Sequence, residues 1–589
     1  MDMKAAISSS KLMLDEKRSG GEKVFFSSYG WCLNPILTFK DLLTRLEEEV
    51  ERFDGTGPNW QQDESKVNIY LFSCAIACTL ADYLSKRPWH LTPLAKSYPR
   101  VRRLILEAES VLNYPSEVKA FLKYRKLREW GREWDDIVES ACRFLILPGE
   151  SSQSSGVVSV KKCVMEGLKK FRSMSVPVDL LIARMKLNEG FRCQDLTHHD
   201  VITLADRFLL TDSDKKSKYV IIGSRTAGSY LSPLLKIYLE QHGFVDVDWI
   251  ALRPKFGMTK MERWQLRRLL IRGANAILID DYSNTGHTLR MLERIARSFG
   301  VPAEKIVILT PIHPVVVSRN ADSHKTNGGT KPEDLLSSSK ETKVIAIHHA
   351  DLYITKIMEP QSVEGVLKGF LSGNDVESIS IHENPEVECI NKELWSHYPD
   401  SFQVRLKRVY EITIHKKNGS VEMKRVFAKS VGLGWLGYHA YMVGEMMSEF
   451  VPKIIGLHSG VLFMEWVDGQ TLSNKTISDV FLNRISSYLA HRTKNLVLNE
   501  DPRSTRLYLG WGWLEILSIL RRVYNNLLGY LKYDYLLNLL KQALHSKSVL
   551  VDGRMRPDEW ILYHAKGPND ESDSGVRGDR LLKVDFEHH

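Results

Sequence analysis

Between residues 157 and 355, five short apolar runs alternate with stretches long enough to be helices. The runs are YVIIGS (219–224), DVDWIAL (246–252), AILIDD (276–281), KIVILTPI (305–312) and KVIAIHH (343–349). A strand covered on both faces reads as an unbroken apolar run, and parallel neighbours need a crossover, usually a helix. The alternation predicts a doubly wound, parallel α/β sheet.

The flanks have other textures. Residues 1–24 read as a flexible tail, and 25–150 as a helical domain. There, LTFKDLLTRLEEEVERF spaces Leu37, Leu42, Leu43 and Leu46 as a helix does. SSQSSG (151–156) is a break, 157–355 the sheet domain and 356–400 a mixed connector. From 401 to 589 strands return around a hairpin turn at Asn418-Gly419, followed by a long helical part over 475–547. The expected fold class is multidomain α/β: an N-terminal helical region, a central parallel-sheet domain and a C-terminal α+β domain.

Composition narrows the function classes. The longest apolar run, Ile69 to Ala81, spans 13 residues and is closed by Asp82, short of the ~20 that a membrane span needs. It predicts a buried core helix and no membrane partner. Met1 to Lys23 lacks the apolar stretch of a secretory signal. Seven cysteines, an odd number with no metal-ligand spacing, suit a reducing, cytoplasmic location. A net charge of +9 admits phosphate ligands but is not a nucleic-acid footprint.

The informative stretch is AILIDDYSNTGHTLRMLERIARSFG, 276–300. An apolar strand ends in Asp280 and Asp281. A loop holding Tyr282, Ser283, Asn284, Thr285 and Gly286 follows, and a helix starts near His287 with Leu289, Leu292, Ile295 and Phe299 on its buried face. A loop between a parallel strand and a helix N-terminus presents unpaired amides and the positive end of the helix dipole, which suits a phosphate. Gly286 lets backbone approach it, and Ser283, Thr285 and Thr288 add hydroxyl donors. Two adjacent acids suit vicinal ribose hydroxyls and a Mg²⁺ ion instead.

From Ala276 to Thr288 the stretch resembles the phosphoribosyl-diphosphate (PRPP) binding motif of type I phosphoribosyltransferases, with Tyr282 and Asn284 in place of smaller or aliphatic residues. The loop Ser224, Arg225, Thr226, Ala227 and Gly228 resembles that family's pyrophosphate loop. WIALRPKFGMTKMERWQ (249–265) resembles its mobile catalytic loop, with Arg253, Lys255 and Lys260 as cations. The resemblance covers 160–355, a third of the chain. It implies a PRPP-dependent phosphoribosyltransferase that transfers 5-phosphoribosyl to an acceptor and releases pyrophosphate. Asp280, Asp281, Arg253 and Lys255 would be catalytic. Ser283 to Thr288, including Asn284 and His287, and Ser224 to Gly228 would bind PRPP. Mg²⁺ would be held by Asp280 and Asp281, mostly through PRPP and water. The acceptor would lie against 177–209, where His198 and His199, at a helix start, read as surface residues.

The C-terminal part resembles aminoglycoside-phosphotransferase-like kinases. Lys429 ends a strand, Glu445 follows on a helix, and Met464, Glu465, Trp466 and Val467 resemble the hinge. VDGRMRPDEWIL (551–562) resembles the catalytic loop and LLKVDFEHH (581–589) the metal segment, with Asp585 as metal ligand. Arg554 stands where that family has its catalytic Asp, with Asp552 two residues earlier, and Glu559 stands where it has Asn. This resemblance implies ATP as a second ligand, with Lys429, Glu445, Glu465 and Val467 on the nucleotide. Two alternatives stay open: a PRPP or nucleotide sensor without turnover, and a small-molecule kinase with an accessory phosphoribosyltransferase-like domain. The N-terminal helical region fits docking or a homodimer.

Overall fold

The computed structural model describes the chain apart from residues 1–17, 35, 54, 56, 88, 90, 92–98, 147–152, 212–213, 272, 283–284, 315–335, 372–374, 397–404, 473–478, 499–548, 553–554, 565–578 and 587–589. It divides into two compact units. The second comprises residues 26–36, 438–456 and 464–589, and the first comprises the remainder.

In the first unit the five apolar runs form five strands: β1 Lys218–Ser224, β2 Asp246–Leu252, β3 Asn275–Ile279, β4 Ile306–Pro311 and β5 Lys343–Ile347. The sheet is parallel throughout, in the order β2-β1-β3-β4-β5. On one face Val220, Ile222, Leu278 and Ile308 pack with Leu266 of the Lys260–Leu270 helix and Leu289 and Leu292 of the His287–Ser298 helix. Ile295 and Phe299 lie partly buried against the same core, as their spacing predicts. The helix Gly228–Gln241 packs on β1 and β2. Helices on both faces make the sheet doubly wound.

The N-terminal helices share this unit rather than forming one of their own. Helix Asn59–Leu84 is long and apolar enough to cross a membrane, but its apolar window is mostly buried. Tyr70 donates to the Tyr230 carbonyl at 3.0 Å, which ties it to the helix that follows β1. Trp134, on helix Arg125–Ile146, donates to the Ser73 carbonyl at 3.1 Å. A helix apolar all round needs cover on every side, and neighbouring helices and the sheet layer supply it.

Residues 356–400, expected as a connector, hold helix Pro360–Leu371, strand β6 Val376–His382 and helix Pro385–Ser396. β6 pairs antiparallel with β7 Lys407–Lys416, and β7 with β8 Val421–Ser430 across the Asn418-Gly419 turn, where Gly419 has φ +80°. With β9 Ile454–His458 and β10 Val461–Glu465 the order of this second sheet is β6-β7-β8-β10-β9. The second unit carries β11 Gln470–Thr471, β12 Trp560–His564 and β13 Asp579–Lys583, antiparallel in that order. Helix Asp479–Asn495 packs there, with the Tyr488 ring edge-on to Trp560 at 5.1 Å.

The turn from β1 into its helix is the tightest point of the parallel sheet. A Cβ on Gly223 would lie 2.5 Å from the Gly228 Cα and 2.3 Å from the Ser232 Oγ. A Cβ on Gly365, inside a helix, would meet nothing within 4 Å. Gly223→Ala should destabilise the chain by about 1–3 kcal/mol, the usual cost of overpacking. Gly365→Ala should stabilise it by about 0.5–1 kcal/mol through helix propensity. Urea unfolding of the two variants checks both signs.

Candidate functional site at the turning point of the sheet

β1 has β2 on one side and β3 on the other, so the strand order reverses there. In open parallel sheets, ligands bind in the crevice outside the carboxyl ends of the strands at such a point. The two loops that lead there are the ones the sequence singles out: Arg225 to Ala227 after β1, and Asp280 to Gly286 after β3. Each feeds a helix, at Gly228 and at His287. Gly286 takes φ +64° at the N-cap, a left-handed conformation that favours glycine.

Asp280 and Asp281 lie just past the end of β3. The Asp281 amide donates to Asp280 Oδ1 at 3.1 Å, and Thr310, on the neighbouring β4, donates to the Asp281 carbonyl at 3.1 Å. Burial and the adjacent Asp281 push the Asp280 carboxyl well above its ordinary range, against the pull of Lys255 and a hydrogen bond from Ser224. Burial and the charge of Glu189 push Asp281 up to about 6, with Lys255 again opposing. The two acids lie side by side past the end of β3, with the charge of Lys255 acting on both. Among the described residues no group of three or more His, Cys, Asp or Glu is arranged to hold a metal. Two carboxylates short of cations fit a Mg²⁺ ion whose remaining ligands come from substrate and water. Ser283 and Asn284 lie outside the described residues. Thr285 Oγ1 accepts from the His287 amide at 3.4 Å, and Thr288 sits in the first turn of the helix.

The cations of the β1 and β2 loops form a second cluster. Arg225 is buried and all five of its N–H groups are engaged. Nε and Nη2 donate to the Ala251 carbonyl at 3.2 and 2.7 Å, Nη2 also to Glu262 at 2.7 Å, and Nη1 to Asp82 at 3.3 Å and Ser85 at 3.4 Å. Arg253 grips Asp82 with Nε at 2.5 Å and with Nη2, and reaches Thr226 Oγ1 at 3.4 Å. Lys186 lies 3.6 Å from the same carboxylate. Burial raises the Asp82 carboxyl, but its hydrogen bond from Arg253 and the charges of Arg253, Arg225 and Lys186 outweigh that and hold it below its usual range. Lys255 is exposed, and its charge acts on the two acids. Lys260 stands over the Tyr114 ring at 3.4 Å.

Asp82, Glu262, Lys186 and Glu189 are absent from the sequence-derived site. Glu262 carried a signal: Thr259-x-x-Glu262 is a capping box, and its other oxygen accepts from the Thr259 amide at 2.8 Å. Asn188 carried none. It is buried beside Gly190, a Cβ on which would lie 3.2 Å from both Asn188 Oδ1 and Asp281 Cβ, and neither amide atom of Asn188 has a partner. His198 and His199 do not lie on the surface. The Thr197–Asp200 capping box turns that helix start inward, where His199 stacks on Tyr353 at 3.9 Å. Burial holds His198 well below its ordinary pKa and His199 at about 4.

Of the kinase-like residues, Lys429 is buried near the end of β8 in the first unit. Glu445, Glu465 and Val467 belong to the second, and Arg554 lies outside the described residues. Asp552, Glu559 and Asp585 gather around Lys583. Its fully buried ammonium donates to Glu559 at 2.7 Å and to the Asp585 carbonyl at 2.7 Å, and lies 3.7 Å from Asp552. Tyr488 donates to the same Asp552 oxygen at 2.7 Å and accepts from Arg492 at 2.8 Å.

Comparison of the chain with protein families, with characterised proteins and with solved structures finds no match to any of them.

The raised pKa of Asp281 has a stability consequence of definite sign. The folded state holds this proton more tightly than the unfolded chain, so stability present below about pH 4 is lost as pH rises through about 6. Asp281→Asn should therefore unfold later than wild type at pH 8, by about 1–3 kcal/mol, and the gap should close towards pH 4. Denaturant midpoints across that range test it; a variant less stable than wild type at pH 8 would show that Asp281 is a structural carboxylate.

Proposed function

We propose that the first unit is a PRPP-dependent phosphoribosyltransferase. The observation that carries this reading is the pairing, at the turning point of a parallel sheet, of two adjacent acids with two loops that each enter a helix N-terminus. The 5-phosphate of PRPP would take the amides and hydroxyls between Thr285 and Thr288, and Asp280 and Asp281 the ribose hydroxyls. The diphosphate would take the amides of Thr226 to Gly228, with Lys255 above it. Arg253 would share its donors between Asp82 and the diphosphate, and Arg225 would frame the β1 loop. The bond from the ribose anomeric carbon to pyrophosphate breaks, a bond to an acceptor nitrogen forms, and that nitrogen loses a proton. The transition state carries oxocarbenium character, so positioning and charge stabilisation supply the rate. Mg²⁺, when bound, neutralises the diphosphate.

One observation favours the sensor reading. The two arginines expected on the departing pyrophosphate are already paired with Asp82 and Glu262. A protein that binds PRPP without turnover has no need of unpaired cations there. The second unit suits a kinase-like, ATP-binding module without phosphotransfer. An ammonium already occupies the centre of its acidic group, and Arg554 replaces the expected acid.

Calorimetric titration of PRPP with and without Mg²⁺ tests the first unit. Saturable, Mg²⁺-dependent binding is expected, and Asp280→Asn with Asp281→Asn should abolish it while the chain stays folded. Absence of binding at millimolar PRPP overturns both readings. Pyrophosphate release with a panel of nitrogenous bases then separates enzyme from sensor.

A further inference from the structure

Helix Arg102–Lys123 is built inside out. Its inward side is polar. Arg87 donates to Glu117 at 3.0 Å and to Glu109 at 3.5 Å. Asn113 accepts from the Trp89 amide at 3.1 Å and donates to the Trp89 carbonyl at 2.9 Å, and the Leu91 amide donates to Glu109 at 2.8 Å. The outward side carries Leu104, Ala108, Val111, Pro115, Val118 and Leu122, all exposed. Leu104 is 66%, Val111 72% and Leu122 70% accessible. Soluble helices normally bury this stripe and expose the other.

The spacing of the stripe suits another helix as its cover. The six positions alternate steps of four and three residues, a 3.5-residue repeat. That is the seam of one helix against another, narrower than the stripe with which a helix faces a sheet. With Leu112 and Phe121 on its flanks the face offers roughly 600–700 Å² per copy, close to the ~800 Å² per partner of a standard interface.

We propose that this face is an interface between two copies of the chain, formed by antiparallel pairing of the helix with itself. A two-fold interface must be self-complementary. An axis at the level of Asn113 meets that condition: it sets Leu104 against Leu122 of the second copy, Ala108 against Val118, and Val111 against Pro115. Large faces large, and small faces medium. A parallel pair would oppose Pro115 to Pro115 and align the two helix dipoles unfavourably.

Sedimentation velocity on the full chain should give twice the 67.5 kDa of one copy. Val111→Glu with Leu122→Glu should restore the monomer, weakening association at least ~100-fold because each change puts a carboxylate into an apolar seam. Both positions are exposed in a single copy, so circular dichroism should not change. With the exposed Cys389 replaced, Cys389→Ser, the pair Ala108→Cys and Val118→Cys should cross-link two chains on mild oxidation, and Ala108→Cys alone should not. A wild-type chain that stays monomeric at ~50 µM overturns the proposal. So does a dimer indifferent to the two glutamates, or a monomer that binds anionic vesicles through this helix instead. None of these outcomes depends on PRPP binding.

Discussion

One buried guanidinium joins three separate stretches of sequence. Arg225 sits on the loop after β1, and its partners Asp82, Ala251 and Glu262 come from the helix before the sheet, from β2 and from the helix after β2. Burial lowers the affinity of a guanidinium for its proton, but Glu262 and Asp82 reverse that and raise it above the ordinary value. Removing one partner of such a buried pair leaves an uncompensated charge, at a cost of about 3–5 kcal/mol. The placement of the β1 loop hangs on this network. Arg253 extends it outward to Thr226 and Lys186 through the same Asp82.

Acids in this chain differ in how their charge is balanced. Around Lys583 the carboxylates of Asp552 and Glu559 both have the ammonium beside them, and Asp585 adds its backbone carbonyl. At Asp280 burial and the charge of Asp281, and at Asp281 burial and the charge of Glu189, outweigh the pull of Lys255, and both carboxyls are pushed up. Asp135, on helix Arg125–Ile146, is likewise pushed up to about 8 by burial and by Glu139 and Asp136, so what sets Asp280 and Asp281 apart is their place just past β3 at the turning point of the sheet. The acids near the C-terminus have no such place in a parallel sheet.

The legible parts were those written locally. β1 to β5 could be read because parallel strands buried on both faces show as continuous apolar runs, and the Asn418-Gly419 hairpin because its turn demands a positive φ. β6 hid because an edge strand, VESISIH, alternates and half exposes its side chains. Asp82 hid because its meaning depends on residues more than 140 positions away. The outward apolar face of helix Arg102–Lys123 was not legible within the helical domain, since sequence shows that a face is apolar but not which face the fold turns outward.

The N-terminal helices are therefore part of the candidate site and not an appendage to it. Domain boundaries drawn from texture put the sheet domain at residue 157, beyond Asp82 and beyond the Tyr70 that bonds the helix after β1. A chain starting there would keep every residue of the PRPP-like motif. It would also leave the buried Arg225 and the half-buried Arg253 without their shared carboxylate, and expose the apolar surface that Asn59–Leu84 covers. Asp280 and Asp281 lie within the motif, whereas Asp82, the carboxylate that pairs with both loop arginines, comes from sequence outside it. A sheet domain defined by resemblance alone is thus smaller than the unit that has to fold.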